Sequence, residues 1–272
     1  MDSRPSSKTP RILLAVLCLY AIVSALMSRN YRSRARLHTP RIDSPTHGFV
    51  ITLHNQTGWK VAERLKLAFE IKDMHVVIGH VGNDSTLSLY NRRLMRKGRT
   101  DTLQIGNLNM LGCLESHREV WTRVQHDSYI FEDDAVPAQN ALHIVKTLLM
   151  DNADRNWSVI HLEKPSGYVS DFTPDMDQYT NIGQITQTCR DCIVYSNRGY
   201  IVTKEAAQIM IENYEPPVVQ ADAYMSLLNA YHPTFRQVWT RVSAVDWRPH
   251  VSSIQKTFEP ISIMHGISNL AK

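Results

Sequence analysis

The stretch 48-GFVITLHNQTGWKVAERLKLAFEIKDMHVVIGHVG-82 decides the fold. Phe49-Val50-Ile51-Thr52-Leu53 is a short run rich in β-branched and aromatic residues, the composition of a strand. Val61, Leu65, Ala68 and Phe69 then recur at the spacing of one helical face, which predicts a helix from Val61 to Ile71. Met74 to Val81 reads as a second strand, ended by Gly82. Strand, helix, strand in this order is a β-α-β unit, and it favours a parallel sheet covered by helices.

The alternation continues outward. Met110, Leu114, His117, Trp121 and Val124 form one apolar stripe, predicting a helix from Leu108 to Val124. Tyr129-Ile130-Phe131 is the next strand, Ala141 to Met150 a helix, and Val159 to Leu162 a strand. Tyr168 to Ile185 lacks a period and reads as a long loop, a common place for function. Tyr200-Ile201-Val202 is a strand, and Thr203 is an N-cap for a helix to about Asn213. Asp222 to Ala230 reads as a helix, Phe235 to Val245 as a strand, and Ile261 to His265 as a last short strand.

The stretch 128-SYIFEDDAVP-137 sets Glu132, Asp133 and Asp134 side by side at a strand end. Adjacent like charges repel and raise one another's pKa. Either the cluster is solvated or a cation holds it. Ligands of open α/β sheets bind beyond the carboxyl ends of strands. There, one or two carboxylates with substrate phosphates are a common Mg²⁺ or Mn²⁺ shell. The functional reading is a metal site gripping a diphosphate; the bland one is a solvated loop or a helix N-terminus.

The chain has 272 residues, 43% hydrophobic and 21% charged, enough for one sizeable core. The net charge of +4 is concentrated before residue 42, where Arg4, Lys8, Arg11, Arg29, Arg32, Arg34, Arg36 and Arg41 face only Asp2. The remainder is near neutral or slightly acidic, so charge makes no case for a nucleic-acid partner. Ile12 to Met27 is an uncharged apolar run of 16 residues between Arg11 and Arg29. A full membrane span needs roughly 20. Three readings stand: a short signal anchor with a luminal body, a cleaved signal peptide ending near Val23-Ser24-Ala25, or an organellar transit sequence. The Arg excess after the run favours a cytoplasmic body by the charge rule, which first segments do not always obey. The favoured expectation is a secretory-pathway (Golgi or ER) membrane protein with a luminal body. The organisation expected is a basic tail (1–11), the anchor or signal segment (12–27), an Arg-rich stem (28–46) and one domain (47–272). Asn55-Gln56-Thr57, Asn83-Asp84-Ser85 and Asn156-Trp157-Ser158 would be glycan acceptors in a lumen, a pattern that chance also produces. Cys189 and Cys192 form a lone C-x-x-C, a local disulfide or two quiet thiols.

Gly112-Cys113-Leu114-Glu115-Ser116-His117, Trp121, 129-YIFEDDAVP-137, 157-WSVIHLEK-164, 199-GYIVTKEAAQIM-210, 217-PVVQADAYMSLL-228 and 252-SSIQ-255 follow one another in order. This series resembles glycosyltransferase family 25, which includes bacterial lipooligosaccharide and animal procollagen galactosyltransferases. The resemblance runs from about Gly48 to Gln255, and G-C-x-x-S-H followed by E-D-D is its most specific part. It implies a GT-A fold, a Rossmann-like sheet that binds a nucleotide sugar, with Mn²⁺ (or Mg²⁺) on the diphosphate. It also implies inverting transfer of a hexose, usually galactose from UDP-galactose, to a glycan or glycosylated protein. The chain departs from the family in 52-TLHNQTGWKVAER-64, where Lys60 or Arg64 stands for the nucleotide-contacting Arg, and in Gln220-Ala221-Asp222, where the family has V-D.

With that resemblance, Asp134 is the first choice for metal contact, with Asp133 beside it; Glu132 and Asp133 are candidates for donor contacts. Asp222 is the candidate base, against a plain helix-start acid. Ser116 and His117 are candidate donor-site residues, with a satisfied core histidine as the bland reading of His117, and Cys113 reads as packing. In 264-MHGISNLAK-272, His265 is a candidate metal ligand, with Gly266 and Lys272 following, against an ordinary tail. Trp239, Trp247 and Tyr168 are candidates for sugar stacking, against core packing. Two other classes remain: a catalytically silent binding or adhesion module on the same fold, and a two-metal phosphoesterase, against which the single acidic cluster speaks.

Overall fold

The computed structural model describes residues 43–82, 108–165, 180–190, 192, 194, 197–214 and 220–247. The apolar run 12–27, most of the stem, the sequon at Asn83, Tyr168, 252-SSIQ-255, the strand expected at Ile261–His265, and His265, Gly266 and Lys272 lie outside the described residues. Among the described residues no helix is long and apolar enough to cross a membrane.

The opening unit is β1 (His47–Thr52), α1 (Asn55–Phe69) and β2 (Asp73–Ile78), with β1 and β2 in parallel register from His47↔Asp73 to Thr52↔Ile78. Helix α1 starts six residues before the apolar period does, because its opening residues Asn55, Gln56 and Thr57 are polar and carry no apolar period. It ends where Glu70 adopts φ 55° and its N–H bonds Lys66 O, a left-handed cap. α2 (Leu108–Arg123), β3 (Ser128–Glu132), β4 (Ala135–Pro137), α3 (Ala141–Asp151) and β5 (Val159–His161) follow. Next come β6 (Thr180–Asn181), β7 (Thr186–Thr188), β8 (Gly199–Val202), α4 (Lys204–Glu212), α5 (Ala221–Tyr231), β9 (Gln237–Thr240) and β10 (Val245–Trp247). As expected, Thr203 caps α4: its side chain accepts from Ala206 N–H at 3.0 Å.

The eight-stranded sheet has the order β2-β1-β3-β8-β5-β9-β7-β6. β1–β2, β1–β3 and β5–β9 pair in parallel, whereas β3–β8, β5–β8, β7–β9 and β6–β7 are antiparallel. The sheet is therefore mixed, with β2, β1, β3, β5 and β9 pointing one way. β6 lies within the segment expected to be loop (Tyr168 to Ile185), and β7 begins directly after it. They are short polar pieces whose strand form comes from pairing, β7 with β9 and β6 with β7, not from an apolar period of their own. The strand expected from Phe235 to Val245 is two strands. Thr240 Oγ1 donates to Val242 O and accepts from Val242 N, a local turn that breaks the run.

Helices cover both faces. Val61, Leu65 and Phe69 of α1 and Val145, Leu148 and Leu149 of α3 pack with Val50, Tyr129, Phe131, Ile160 and Ile201. Leu111, Leu114 and Trp121 of α2, Met210 of α4 and Met225 of α5 pack with Ile51, Ile130, Tyr200 and Val202 on the other side. Alternate strand residues thus feed two separate cores, and each fully buried large side chain contributes roughly 1.5–3 kcal/mol. Cys189 and Cys192 are a disulfide, packed with Val194 and Trp239. Asn229 Nδ2 of α5 donates to Cys189 O and Arg190 O.

Candidate functional site

β1 is flanked by β2 on one side and β3 on the other, so the strand order reverses there. A crevice forms beyond the carboxyl ends at such a point. Register pairs Ile51 with Glu132, which sets Thr52 beside the acidic turn. Thr52 Oγ1 donates to Asp133 Oδ2 at 2.7 Å, tying the two strand ends together.

Glu132 is the last residue of β3, and Asp133 and Asp134 turn the chain into β4. Their exposures are 9%, 0% and 1%, so the solvated reading of the cluster is overturned. β4 and β10 pair from Val245↔Pro137 to Trp247↔Ala135 and hold the turn from behind. Arg64 Nη2 donates to Ala135 O at 2.6 Å, whereas Lys60 is exposed. The Arg64 guanidinium thus supports the acidic turn.

No hydrogen-bond donor among the described residues reaches either carboxylate oxygen of Asp134. Arg198 Nε lies 3.6 Å from Asp134 Oδ2. The Arg198 guanidinium also pairs with Glu163, and Arg198 N–H donates to Glu163 Oε1 at 3.2 Å. Arg198 O accepts from Glu132 N–H at 3.0 Å, closing the cluster. Burial pushes Asp134 up to about 7, and the charge of Glu132 adds to it while Arg198 opposes. Burial likewise lifts Glu163 to about 7 against the pull of Arg198.

Asp222 stands in the first turn of α5, its Oδ1 accepting Ala223 N–H at 2.9 Å. Burial raises it to about 7; the Ala223 N–H opposes this, and Glu132 and Glu163 add their charges to the rise. Glu132, Asp134, Glu163 and Asp222 therefore share one end of the sheet, with Arg198 between Asp134 and Glu163. Hard divalent cations take carboxylate oxygens. A carboxylate such as Asp134, buried with no hydrogen-bond donor among the described residues on either oxygen, fits that need.

Helix α2 explains the G-C-x-x-S-H series. A Cβ on Gly112 would lie 2.5 Å from His80 O, so only glycine lets α2 approach the segment after β2 this closely. Ser116 Oγ accepts from His80 N–H at 2.8 Å and donates to Gly112 O at 2.6 Å. Its hydroxyl thus locks helix to loop. His117 is fully buried, with Nε2 3.2 Å from Glu132 Oε1 and Nδ1 2.9 Å from Tyr200 Oη. Cys113 Sγ is 4.0 Å from Glu132 Oε1, and burial holds its thiol well above the usual range. Trp239 is 1% exposed and stacks on His161 at 5.3 Å, the packing reading.

Sequence reasoning assigned nothing to Thr52, Glu163, Arg198 or Tyr200. Glu163 had a visible signal, an acid just past a second strand that points the same way as β3. Arg198 had none, since it reaches this edge by preceding an antiparallel strand.

An open α/β sheet with acids gathered at its switch point is a ligand-binding α/β domain. Residues 91–225, about half the chain and including the acidic turn and Asp222, match the family model "Glycosyltransferase family 25 (LPS biosynthesis protein)". The chain belongs to glycosyltransferase family 25 over this segment, as the motifs indicated. Membership supports a glycosyltransferase, which binds a nucleotide-sugar donor and an acceptor. Comparison with curated proteins finds no match. Among solved structures the chain is similar to a 4-diphosphocytidyl-2C-methyl-D-erythritol synthase from Anaerococcus prevotii DSM 20548. The identity is 14% and the TM-score 0.40, over 77% of this chain and 93% of that one. It is also similar to an inositol-1-phosphate CTP transferase from T. maritima, at 8% identity and TM-score 0.35, over 74% and 91%. Neither likeness is close enough to carry an argument.

Proposed function

We propose that the protein is an inverting, metal-dependent glycosyltransferase of GT-A type. It moves a hexose, with galactose from UDP-galactose as the leading donor, onto a glycan or glycosylated protein. The observation that carries the reading is the Asp134 carboxylate, buried at the β1/β3 switch point without a hydrogen-bond donor among the described residues.

Asp134 and Asp133 would hold Mn²⁺ or Mg²⁺, with His265, outside the described residues, as a further ligand. The cation would supply charge neutralisation for the leaving diphosphate. Thr52 keeps Asp133 in place, and Glu132 accepts from a hydroxyl of the donor. In an inverting transfer the acceptor oxygen attacks the anomeric carbon from the face opposite the leaving group. Asp222 takes the acceptor's proton as that bond forms and the bond to diphosphate breaks. A base is most effective with a pKa near the working pH, and Asp222 sits at about 7. The apolar run 12–27 is read as an anchor that places the domain in the lumen of the secretory pathway.

A hydrolysis screen across UDP-, GDP- and CMP-sugars, with and without Mn²⁺, tests the reading. Turnover that needs Mn²⁺ and is lost in Asp134→Ala supports it. Binding of a sugar nucleotide by the folded protein, with no turnover of any donor, would point instead to a silent binding module.

A further inference from the structure

His117 is 0% exposed in the middle of α2, yet both its ring nitrogens are engaged. Trp121 Nε1 lies 2.9 Å from Tyr200 Oη, the same oxygen that lies 2.9 Å from His117 Nδ1. An indole N–H only donates, so Tyr200 Oη accepts from Trp121. Burial holds Tyr200 well above its ordinary range, so its phenolic proton stays on. As a carboxylate, Glu132 only accepts, so His117 Nε2 carries a proton. A neutral ring then has a bare Nδ1, and that nitrogen takes the Tyr200 O–H.

We propose that Trp121, Tyr200 and His117 form a one-way hydrogen-bond chain that aims Glu132 into the site, with His117 as a positioning residue that does not itself touch the donor. Every link runs the same way: indole N–H to phenol, phenol O–H to imidazole, imidazole N–H to carboxylate. The rings are fixed by packing. His117 lies 5.8 Å from Tyr200 and 6.1 Å from Trp121, and Trp121 lies 5.8 Å from Tyr224. Among the described residues, both side-chain hydrogen bonds to Glu132 fall on Oε1, which leaves Oε2 to accept from a ligand hydroxyl. The hydroxyl ligand rests on the glycosyltransferase reading; the chain of hydrogen bonds does not.

The arrangement opposes a competing use of the same atoms. Cys113 Sγ, His117 Nε2 and Glu132 Oε1 lie within 4.8 Å of one another, a spacing that a Zn²⁺ ion could gather. A proton on Nε2 removes the lone pair that such an ion would need.

Imidazole ¹⁵N spectra of the full-length, metal-free protein at pH 8 read the chain directly. His117 is expected with a protonated Nε2 and a bare Nδ1. In Tyr200→Phe, the Nε2 proton should stay, held by Glu132, while the bare Nδ1 signal shifts as it loses its donor. Turnover separates positioning from packing. In His117→Gln the amide nitrogen stands where Nε2 stood and still donates to Glu132, so donor KM should stay within about threefold of wild type. His117→Asn keeps only the Tyr200 side, so donor KM should rise about tenfold, the order of one lost hydrogen bond to a charged group, with kcat less affected. A protonated Nδ1 in the wild type, displacement of the Nε2 proton by stoichiometric Zn²⁺, or Asn serving as well as Gln would each overturn the proposal. If no sugar nucleotide is turned over, the function reading fails and the tautomer alone decides the chain.

Discussion

The two faces of the central sheet are built from alternate residues of the same strands, and they end differently. On the α1/α3 face, Val50, Tyr129, Phe131, Ile160 and Ile201 meet Leu65, Phe69 and Leu148, an apolar core throughout. On the other face, Ile51, Ile130 and Tyr200 meet Leu114 and Trp121 in an equally buried core. There the same positions run on into Glu132 from the strand and His117 from the helix. The second face thus turns from apolar packing to buried polar and charged groups within one helical turn and two strand residues. Rigid packing behind and buried charge in front is the arrangement a preorganised site needs.

The largest expected effects lie at the charged end. Asp134→Asn should lower turnover by on the order of 10²-fold or more, the several kcal/mol that neutralising a leaving diphosphate supplies. The same change removes a buried charge, so the metal-free protein at pH 8 should melt at a higher temperature. A loss of both activity and stability would break the contrast between the two regions. Asp222→Asn should cost roughly 10²–10⁴-fold in rate, the range of general-base contributions. In the wild type, kcat/KM should climb with pH through about 7 as Asp222 ionises. A flat profile there would remove Asp222 from the role.

On the α1/α3 face, Leu65→Ala should cost about 2–5 kcal/mol in chemical denaturation, while activity per folded molecule is unchanged. Leu65 is fully buried in the apolar cluster of that face. Gly112→Ala sits at the boundary. Its Cβ would meet His80 O at 2.5 Å and push α2 outward, costing about 1–3 kcal/mol and moving His117 with it.

A pH dependence is expected as well. Asp222, facing Glu132 and Glu163, and Glu163, facing Arg198 and Glu132, both have folded-state pKa values raised to about 7. Unfolded, such carboxyls titrate near 4. The folded state therefore holds their protons more tightly, and the stability this gives is present at low pH and lost as pH rises from about 4 to about 7. Metal-free wild type should lose stability over that window relative to Glu163→Gln, measured by denaturation at pH 5 and pH 7.5.

Much of the layout was legible because it rests on local pattern. The β-α-β opening, the stripe from Met110 to Val124 and the cap at Thr203 follow from period and chemistry within a few residues. β6 and β7 were not legible, since polar residues such as Thr180 and Thr188 take strand form only through a partner. The acidic turn was visible as a charge run, but its burial was not, because Arg198 and Glu163 arrive from strands far along the chain. His117 could be read from sequence as core or as site. In the structure it is buried, with one ring nitrogen bonded to Tyr200 and the other to Glu132.

The most direct check is calorimetric titration of UDP-galactose into the metal-free protein, with and without Mn²⁺, for wild type and Asp134→Asn. Binding by the wild type that requires Mn²⁺, and no binding by a folded Asp134→Asn, is the expected result. Equal binding by the two proteins, or Mn²⁺-independent binding by the wild type, would contradict a cation held at the acidic turn.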